Sequence, residues 1–332
     1  MGFTSYTKSV ENGDTVILYF SPSHIAPLKI NLGQTLQTTY GAIKHSDLIG
    51  KKYGTKIDCP KGWIYLLHPT SELWTQAVPH RTQILYSTDI SMIVFQLELT
   101  AGSVVVEAGT GSGSLSHAIV RSVMPTGHLF TFEFHKERCE KAGQEFEEHG
   151  LSNKVTITHR DVCNYGFQLN HVADAVFLDL PSPWSCIDSA KQAMKLQGGR
   201  ICSFSPCIEQ VSQTCATLTE KGFQDIKTLE CLLRKFHVKH TGMSKAWLGE
   251  LTESEKIQKV KVERKKNMEM GTNVDMVQTD ESVAKKPCLE NTNNPGKDKK
   301  KGQDCYEFVT ASPVQDMQGH TGFLTFATLY GQ

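Results

Sequence analysis

A glycine loop and an acidic, proline-rich stretch carry the residue types that could do chemistry in this chain. Gly109, Gly111 and Gly113 form a Gly-x-Gly-x-Gly loop directly after an apolar run. Asp179 ends a second apolar run and opens residues 179–184, Asp-Leu-Pro-Ser-Pro-Trp. Glycine permits positive φ and lets the backbone approach a ligand closely, and a helix N-terminus after such a loop favours an anionic group. Because open α/β sheets bind ligands at the carboxyl ends of their strands, we expect both stretches at one binding edge.

Carboxylates are also expected at the ends of two further strands. Glu133 ends the second predicted strand, where it can accept hydrogen bonds from both hydroxyls of a ribose, in NAD or in S-adenosylmethionine. Asp161 ends the third strand, where it can accept from an adenine amino group while Val162 packs the ring or donates its amide. Each acid alone has a structural alternative, since Asp161 could cap a helix and Glu133 could pair with Lys136. Together with Asp179 they suit an adenosine with a positive sulfonium better than a pyrophosphate.

The position of Asp179 suggests methyl transfer to an adenine ring. Adenine N1 can attack a sulfonium methyl without first losing a proton, and the methylated ring is cationic. A fixed carboxylate that accepts an N–H of the exocyclic amine orients the ring and stabilises the developing charge. Methylation of the exocyclic amine itself stays an alternative, although such enzymes place Pro-Pro and an aromatic directly after the Asp or Asn. A base in folded RNA must be flipped out, and Trp184 or Phe204 could stack on it or pack in the core.

The composition limits these interpretations. The 332 residues include 35 basic and 35 acidic side chains, without the basic excess that is typical of nucleic-acid binders. A nucleic-acid substrate would therefore need basic residues clustered on one face or a field supplied by a partner. No apolar run approaches the roughly 20 residues of a membrane span and no signal-peptide pattern opens the chain, so we expect a soluble, intracellular protein. Ten scattered cysteines without zinc spacing predict buried thiols and no metal site.

Residues 1–75 are predicted to form a small all-β domain. Short apolar runs bounded by turn residues are typical of a sandwich or a barrel. The predicted strands are Asp14–Phe20, Leu28–Leu32, Thr38–Lys44, Lys56–Cys59 and Trp63–His68. Nothing in the region looks catalytic, so a docking module and a plain structural cap both stay open.

From residue 76 to 243 strands and helices alternate, which predicts a Rossmann-like parallel sheet covered by helices on both faces. The predicted strands are Ser103–Val106, His128–Phe134, Lys154–His159, Val172–Leu180 and Gly199–Ser203. The predicted helices are one capped by Ser87 or Thr88, then Ser114–Val123, Lys136–His149, Ile187–Leu196 and Glu209–Lys221.

Residues 244–304 are rich in charged and amide side chains and nearly without aromatics, which predicts a disordered insert. Its lysine clusters could serve as a nuclear import signal, as a loose contact to RNA phosphates or as a solvating linker. In the last segment, 305–332, residues Gly319–Tyr330 are predicted to form a strand. This strand should pair with a strand over Ile226–Val238 and close the main sheet.

Several blocks of the sequence resemble one family, in that family's order. They are Leu66–Thr70, Pro79–Ile90, the glycine loop, residues 179–184, Ser203–Gln210 and His320–Gly322. Over residues 1–240 and 319–332 the chain is similar to the catalytic subunits of eukaryotic tRNA (adenine-N1)-methyltransferases, which modify position 58 in the T-loop. The resemblance implies an S-adenosylmethionine-dependent methyltransferase domain behind a small β-barrel-like domain. It also implies a nuclear heterotetramer, in which two catalytic and two related non-catalytic chains hold the tRNA.

The resemblance also implies the residues of the site, with Asp179 catalytic. Contacts to S-adenosylmethionine are expected at Leu85, Gly109, Gly111, Ser112, Gly113, Ser114, Glu133, Arg138, Asp161 and Val162. Contacts to the adenosine and its loop are expected at Gln83, Ile84, Tyr86, Ser87, Leu178, Leu180, Pro181, Ser203, Phe204, Ser205, Pro206, Cys207, Ile208, Glu209, Gln210 and Thr321.

Three rival classes stay open. An inactive scaffold subunit would have a degraded glycine loop and no Asp179, but both are intact. A methyltransferase acting on a protein or a small molecule would explain Glu133 and Asp161 but would leave residues 179–184 without a role. An NAD-dependent oxidoreductase would need a hydride-transfer acid, for which His80 and His320 are the candidates.

Overall fold

The computed structural model groups the chain into two compact units, residues 1–233 with 318–332 and residues 234–317. The described residues are 3, 7–78, 82–244, 255–262, 305–314 and 322–331. The segments predicted over 1–75 and 76–243 thus lie almost entirely in one unit, and their boundaries stay predictions. Among the described residues, no helix combines the length and the apolar character that a bilayer crossing requires.

The first part of the larger unit is all-β and antiparallel, as the short apolar runs predict. Its strands are β1 Thr15–Ser21, β2 His24–Lys29, β3 Thr35–Thr38, β4 Gly41–Lys44, β5 Lys56–Cys59 and β6 Gly62–Leu67. Four of them hydrogen-bond in the order β2-β1-β6-β5, and β3 and β4 form a separate hairpin. In β6 the buried residues alternate, with Ile64 and Leu66 fully buried, as the period of two of a half-buried strand requires. In β1 four consecutive residues from Thr15 to Leu18 are buried. Closure into a barrel stays a prediction.

Two strand predictions in this part were wrong. The single strand predicted over Thr38–Lys44 is two strands joined by a turn, in which the Thr38 hydroxyl donates to the Gly41 carbonyl at 2.7 Å. The strand predicted over Leu28–Leu32 lies earlier, as β2, and contains Pro27. A proline is tolerated there because β2 is an edge strand and needs no hydrogen bond from that nitrogen on its outer side.

The remaining strands build a seven-stranded main sheet and a separate two-stranded ribbon. Their bounds are β7 Val104–Ala108, β8 His128–Glu133, β9 Val155–His159, β10 Ala175–Asp179, β11 Gly198–Ser205, β12 Gln224–Leu229, β13 Phe236–Ser244, β14 Cys305–Pro313 and β15 Phe323–Tyr330. The main sheet has the order β12-β15-β11-β10-β7-β8-β9. Strands β7 to β11 in this sheet pair in parallel, and β15 is antiparallel to both of its neighbours. The predicted Rossmann-like architecture is confirmed.

Helices cover both faces of the main sheet. They are α1 Ser71–Ala77, α2 Ser87–Gln96, α3 Ser114–Val123, α4 Lys136–Glu148, α5 Val162–Tyr165, α6 Ile187–Ala193 and α7 Ile208–Glu220, with 3-10 helices at His45–Asp47 and Pro183–Cys186. One apolar cluster joins the sheet to α2, α3 and α4 through residues such as Ile93, Ile119 and Phe146. A second cluster joins the other face to α6 and α7 through residues such as Ile187 and Leu218.

The helix predictions were incomplete at two short elements and wrong at one cap. Helix α1 was not predicted because its seven residues give little periodicity; its N-cap is Thr70, which accepts from the amide of Leu73 at 3.3 Å. The single turn of α5 was expected only as the helix that Asp161 could cap, without bounds. The predicted cap of α2 was wrong, since Tyr86 is its N-cap residue and makes no side-chain cap bond.

The smaller unit contains β13 and β14, paired antiparallel from Phe236↔Pro313 to Ser244↔Cys305, and a helix over residues 255–262. The strand predicted over Ile226–Val238 is therefore wrong as a single element. Its first part belongs to β12 and its end belongs to β13, and residues 230–235 lie in neither strand. The disordered insert predicted over 244–304 was wrong at the described residues of that range, since Ser244 ends β13 and residues 255–262 are helical. The rest of the range lies outside the described residues.

The last strand, predicted over Gly319–Tyr330, is β15 Phe323–Tyr330, and its predicted place in the main sheet beside β12 is confirmed. Strand β15 pairs with β12, as expected, yet it also pairs with β11 along its whole length. It therefore lies inside the sheet rather than along its edge. Leu324 at its start is fully buried in the core of the α2 face.

We expect Leu324→Ala to lower the free energy of unfolding by about 2–5 kcal/mol, because removal of this buried side chain leaves a cavity in the core on the α2 face of the sheet. Leu196→Ala is the matched control, since Leu196 is 67% exposed. Urea unfolding followed by circular dichroism measures both variants. Equal midpoints for the two would contradict the internal position of β15.

Candidate active site

A cavity of about 550 Å³ opens at the carboxyl ends of β7 to β10. Its size falls within the roughly 300–1,000 Å³ that is usual for small-molecule sites. The predicted residues that line it are Gln83, Ile84, Leu85, Gly109, Gly111, Glu133, Arg138, Asp161, Val162, Asp179, Leu180, Pro181 and Phe204. Parallel strands bring these side chains together because successive strands end at the same edge of the sheet.

The glycine loop brings the ends of β7 and β10 into direct contact. Gly109 has a φ of +97°, and a Cβ placed there would lie 2.3 Å from the carbonyl oxygen of Asp179. No other residue leaves room for that approach. Gly113, with a φ of +74°, is the N-cap residue of α3.

Glu133 ties the glycine loop to the end of β8. One carboxylate oxygen accepts the amide of Gly111 at 2.9 Å, and the other accepts the amide of His135 at 3.0 Å. Arg138 lies 3.7 Å away. The alternative pairing with Lys136 is wrong, because Lys136 pairs with Glu140 along its own helix. Glu133 is therefore both buried and held in one orientation.

Asp161 caps α5 and also lines the cavity. Its Oδ1 accepts the amides of Cys163 and Asn164 at 3.0 and 3.3 Å, and its Oδ2 accepts the Asn164 side chain at 2.6 Å. The structural alternative for this residue is thus fulfilled. It does not compete with a binding role, because the cap fixes the carboxylate at the cavity wall.

Asp179 ends β10, beside Phe204 of β11 in the sheet register. Burial raises the pKa of its carboxyl to about 6, and the negative charge of Glu133 adds to the shift. The Gln210 side chain donates to the carbonyl of Pro181 at 2.9 Å and holds the turn that follows. Gln210 thus reaches the loop of Asp179 from α7.

Sequence reasoning missed the buried acid Glu107, two residues before the loop. Ser116 and Thr131 donate to one of its oxygens at 2.6 and 2.7 Å. Burial raises its pKa to about 7, and the charges of Asp179 and Glu133 contribute. Glu107 is a charged residue inside the apolar run Val104–Ala108, and this position could have indicated a buried acid.

A buried histidine pair supports the loop from behind. His117 Nδ1 lies 2.6 Å from the carbonyl oxygen of Gly113, and His117 Nε2 lies 2.8 Å from His149 Nδ1. Burial lowers the pKa of His149 to about 2, so this ring is neutral. If His117 donates from Nδ1 to the carbonyl, its Nε2 accepts from His149, and both rings have a defined tautomer.

The other predicted contacts fall into three groups. Ser112 and Ser114 line a narrow pocket of about 30 Å³ next to the cavity. The buried residues are Gly113, Leu178, Ser203 and Ser205, whereas the surface positions outside the cavity are Tyr86, Ser87, Pro206, Cys207, Ile208, Glu209 and the half-buried Gln210. Thr321 lies outside the described residues, as do His80 and His320. Ligand contact at each position stays a prediction.

Of the two aromatics considered for stacking, Phe204 lines the cavity, while Trp184 packs against the second core cluster. The cavity residues that were not predicted are Thr82, Phe132, Phe134, His135, Arg160, Cys163 and Ser182. Several of them are direct sequence neighbours of predicted residues. No group of three or more His, Cys, Asp or Glu side chains that could hold a metal ion occurs in the described part of the chain.

A mostly parallel sheet with an antiparallel strand, a glycine loop after one strand and acids after the next three defines the class of S-adenosylmethionine-dependent methyltransferase folds. An S-adenosylmethionine-dependent O-methyltransferase from Thermotoga maritima matches with a TM-score of 0.69 and 24% identity, over 98% of this chain and 96% of that one. The tRNA (m1A58) methyltransferase TrmI from Aquifex aeolicus matches with a TM-score of 0.62 and 20% identity, over 96% and 98%. At these low identities, the two structural matches show that the chain shares their fold.

The sequence narrows the class to one family. Residues 62–329 match the family described as the tRNA methyltransferase complex GCD14 subunit. The chain is also 40% identical to the tRNA (adenine(58)-N(1))-methyltransferase catalytic subunit TRM61 of Candida albicans, over 98% of both chains. The chain belongs to this family, and the resemblance found in the sequence is confirmed.

We expect Gly109→Ala to weaken binding of S-adenosylhomocysteine by on the order of tenfold or more, since a Cβ would push the end of β10 away. Gly222→Ala is a matched control, because Gly222 also has a positive φ, +85°, but a Cβ there would meet only the end of the flexible Lys191 side chain, at 4.0 Å. In this control the new alanine causes only the backbone strain of a positive φ, about 1–3 kcal/mol. Calorimetry compares the two affinities, and equal values would contradict the close approach.

Proposed function

We propose that this chain transfers a methyl group from S-adenosylmethionine to N1 of adenosine 58 in tRNA, as the catalytic subunit of a two-subunit-type enzyme. One observation carries the proposal. Asp179 lies at the edge of a cavity that the glycine loop, Glu133 and Asp161 also line. The family of the chain and its identity to a catalytic subunit of that specificity support the choice of substrate.

The donor set of the cavity fits this cofactor. A carboxylate offers about four acceptor sites, and backbone amides use two of those of Glu133. The two remaining acceptor sites of Glu133 suit the two hydroxyls of a ribose. Asp161 already accepts three hydrogen bonds, which leaves capacity for one more, from an adenine amino group. Three acids in one wall also favour a ligand that carries a positive charge.

Asp179 is the residue we assign to the reaction. When bound, S-adenosylmethionine supplies the electrophilic methyl group. Asp179 accepts an N–H from the exocyclic amine of the target adenine, which leaves N1 unprotonated and facing the donor. As the ring becomes cationic, the fixed carboxylate stabilises it without rearranging, and this is the usual source of large electrostatic effects in catalysis. Phe204 lines the same cavity.

We further propose that the chain works in the nucleus, in a heterotetramer with two related non-catalytic chains. The balance of 35 basic and 35 acidic residues supports an RNA surface shared with a partner, because this chain alone lacks a basic excess. Light scattering of the co-expressed subunits tests the assembly, and a mass other than two plus two would refute it. Imaging of a tagged chain tests the location.

The direct test incubates the chain and its proposed partner with labelled S-adenosylmethionine and unmodified tRNA, followed by mass spectrometry of the nucleosides. N1-methyladenosine at position 58 is the expected product. A tRNA with another base at position 58 is the control. N6-methyladenosine, or label found only in protein, would overturn the assignment of Asp179.

We expect Asp179→Ala and Asp179→Asn to lower kcat by on the order of 10²–10³-fold, the loss usual for one electrostatic contact to the transition state. Affinity for S-adenosylhomocysteine, which lacks the sulfonium charge, should change little. Asp188→Asn is the matched control, since Asp188 is an exposed acid paired with Lys221. Near-normal turnover in either Asp179 variant would refute its catalytic role.

The activity should fall as the pH drops through about 6. Asp179 has a raised pKa of about 6, so it is ionised above that pH and loses its acceptor role below it. The profile of kcat/KM for the cofactor reports the free enzyme. Glu107→Gln removes the neighbouring acid, whose pKa is about 7. The activity of this variant should still fall as the pH drops through about 6. A flat profile between pH 5 and 8, or loss of this fall in Glu107→Gln, would contradict the assignment to Asp179.

A further inference from the structure

Two thiols face each other beside the cavity. The sulfur atoms of Cys163 and Cys186 lie 3.5 Å apart. The two residues are 23 positions apart in the chain, and strand β10 lies between them. Cys163 is half-buried and lines the cavity, whereas Cys186 is fully buried behind it. The proposed reaction uses neither side chain.

The pair connects the two loops that form the cavity wall. Cys163 is the second residue of α5, and its amide donates to the carboxylate of Asp161 at 3.0 Å. Cys186 ends the 3-10 helix Pro183–Cys186, which follows Asp179 and its proline turn. A bond between the sulfurs would therefore tie the loop of Asp161 to the loop of Asp179.

The surroundings give the two thiols different roles. Burial, together with the neighbouring Cys163, raises the pKa of the Cys186 thiol to about 12, so Cys186 is protonated at neutral pH. Cys163 is the thiol that a small molecule in the cavity can reach. Because a thiolate attacks faster than a thiol, the protonated Cys186 is the poorer nucleophile. Cys163 is also the accessible thiol, so we expect it to react first.

We propose that Cys163 and Cys186 are an oxidation site at which a hydroperoxide converts the two thiols into an intramolecular disulfide. With hydrogen peroxide as the oxidant, the Cys163 thiolate attacks one peroxide oxygen and the O–O bond breaks. A sulfenic acid forms, and the hydroxide that leaves is protonated to water. The Cys186 sulfur then attacks the sulfenic sulfur, its proton leaves with the hydroxyl as a second water, and the S–S bond forms. The two thiols lose two electrons, which reduce one peroxide.

The bond would change the cavity. Disulfide sulfurs lie about 2.05 Å apart, so the pair must close by roughly 1.5 Å from its present distance. Helix α5 is a single turn held by the Asp161 cap, and a shift of Cys163 therefore moves the Asp161 carboxylate. We expect weaker cofactor binding in the oxidised protein, and a bound cofactor should in turn shield Cys163. This consequence rests on the proposed function, whereas the disulfide itself does not.

The test treats the full-length chain with hydrogen peroxide, with and without S-adenosylhomocysteine, and then alkylates the free thiols. Peptide mass spectrometry should find a linked peptide of residues 163 and 186 that is two hydrogens lighter than its reduced parts. The ligand should suppress it and dithiothreitol should reverse it. Calorimetry of the oxidised protein should give at least a tenfold weaker affinity, restored on reduction.

Two variants complete the design. Cys186→Ala should keep its affinity after peroxide treatment, and its Cys163 should be trapped by dimedone as a sulfenic acid. Cys59→Ser, which changes a half-buried thiol of the N-terminal sheet, should still form the linked peptide. The oxidation site is refuted if both thiols stay alkylatable after peroxide treatment. The effect of the disulfide on cofactor binding is refuted if the linked protein binds as well as the reduced one, or if Cys186→Ala loses affinity equally. Because the linked peptide is detected without any methylation assay, its absence is distinguishable from failure of the proposed function.

Discussion

The close approach of two backbones at the ends of β7 and β10 is the constraint on which the site depends. A hydrogen atom at residue 109, in place of a side chain, allows the carbonyl of Asp179 to lie against the loop. The parallel register of the two strands then sets Asp179 at the same height as the loop and Glu133. The cavity, the acids that line it and the start of helix α3 all lie at the carboxyl ends of the strands.

That geometry concentrates negative charge. Burial raises the pKa of Glu107 and of Asp179, and neighbouring negative charges add to both shifts, those of Asp179 and Glu133 at Glu107 and that of Glu133 at Asp179. Backbone amides offset part of this cost at Glu133, and hydroxyl donors do so at Glu107. A wall that tolerates so many acids without a paired base at each favours a positively charged ligand. The local electrostatics and the family therefore lead to the same chemistry.

The sequence predicted the elements that have a strong internal period and the acids that follow them. Strand β8 and helices α3 and α4 fall within a residue of their predicted bounds, and Glu133, Asp161 and Asp179 lie together as expected. One-turn and two-turn helices such as α1 and α5 carry too little period for their bounds to be predicted. The pairing of β13 with β14 and the buried role of Glu107 depend on contacts between distant residues. A local pattern contains no such information.

The internal position of β15 has a consequence for how such chains can vary. The polypeptide leaves the sheet after Leu229 and returns at Phe323 to fill the gap between β11 and β12. The entropy of closing a flexible excursion rises only with the logarithm of its length, about 0.6 kcal/mol for each doubling. Insertions and deletions between these two points therefore cost the sheet little. The candidate site is at the ends of β7 to β10, so a change of length between Leu229 and Phe323 leaves the strands that carry it in place.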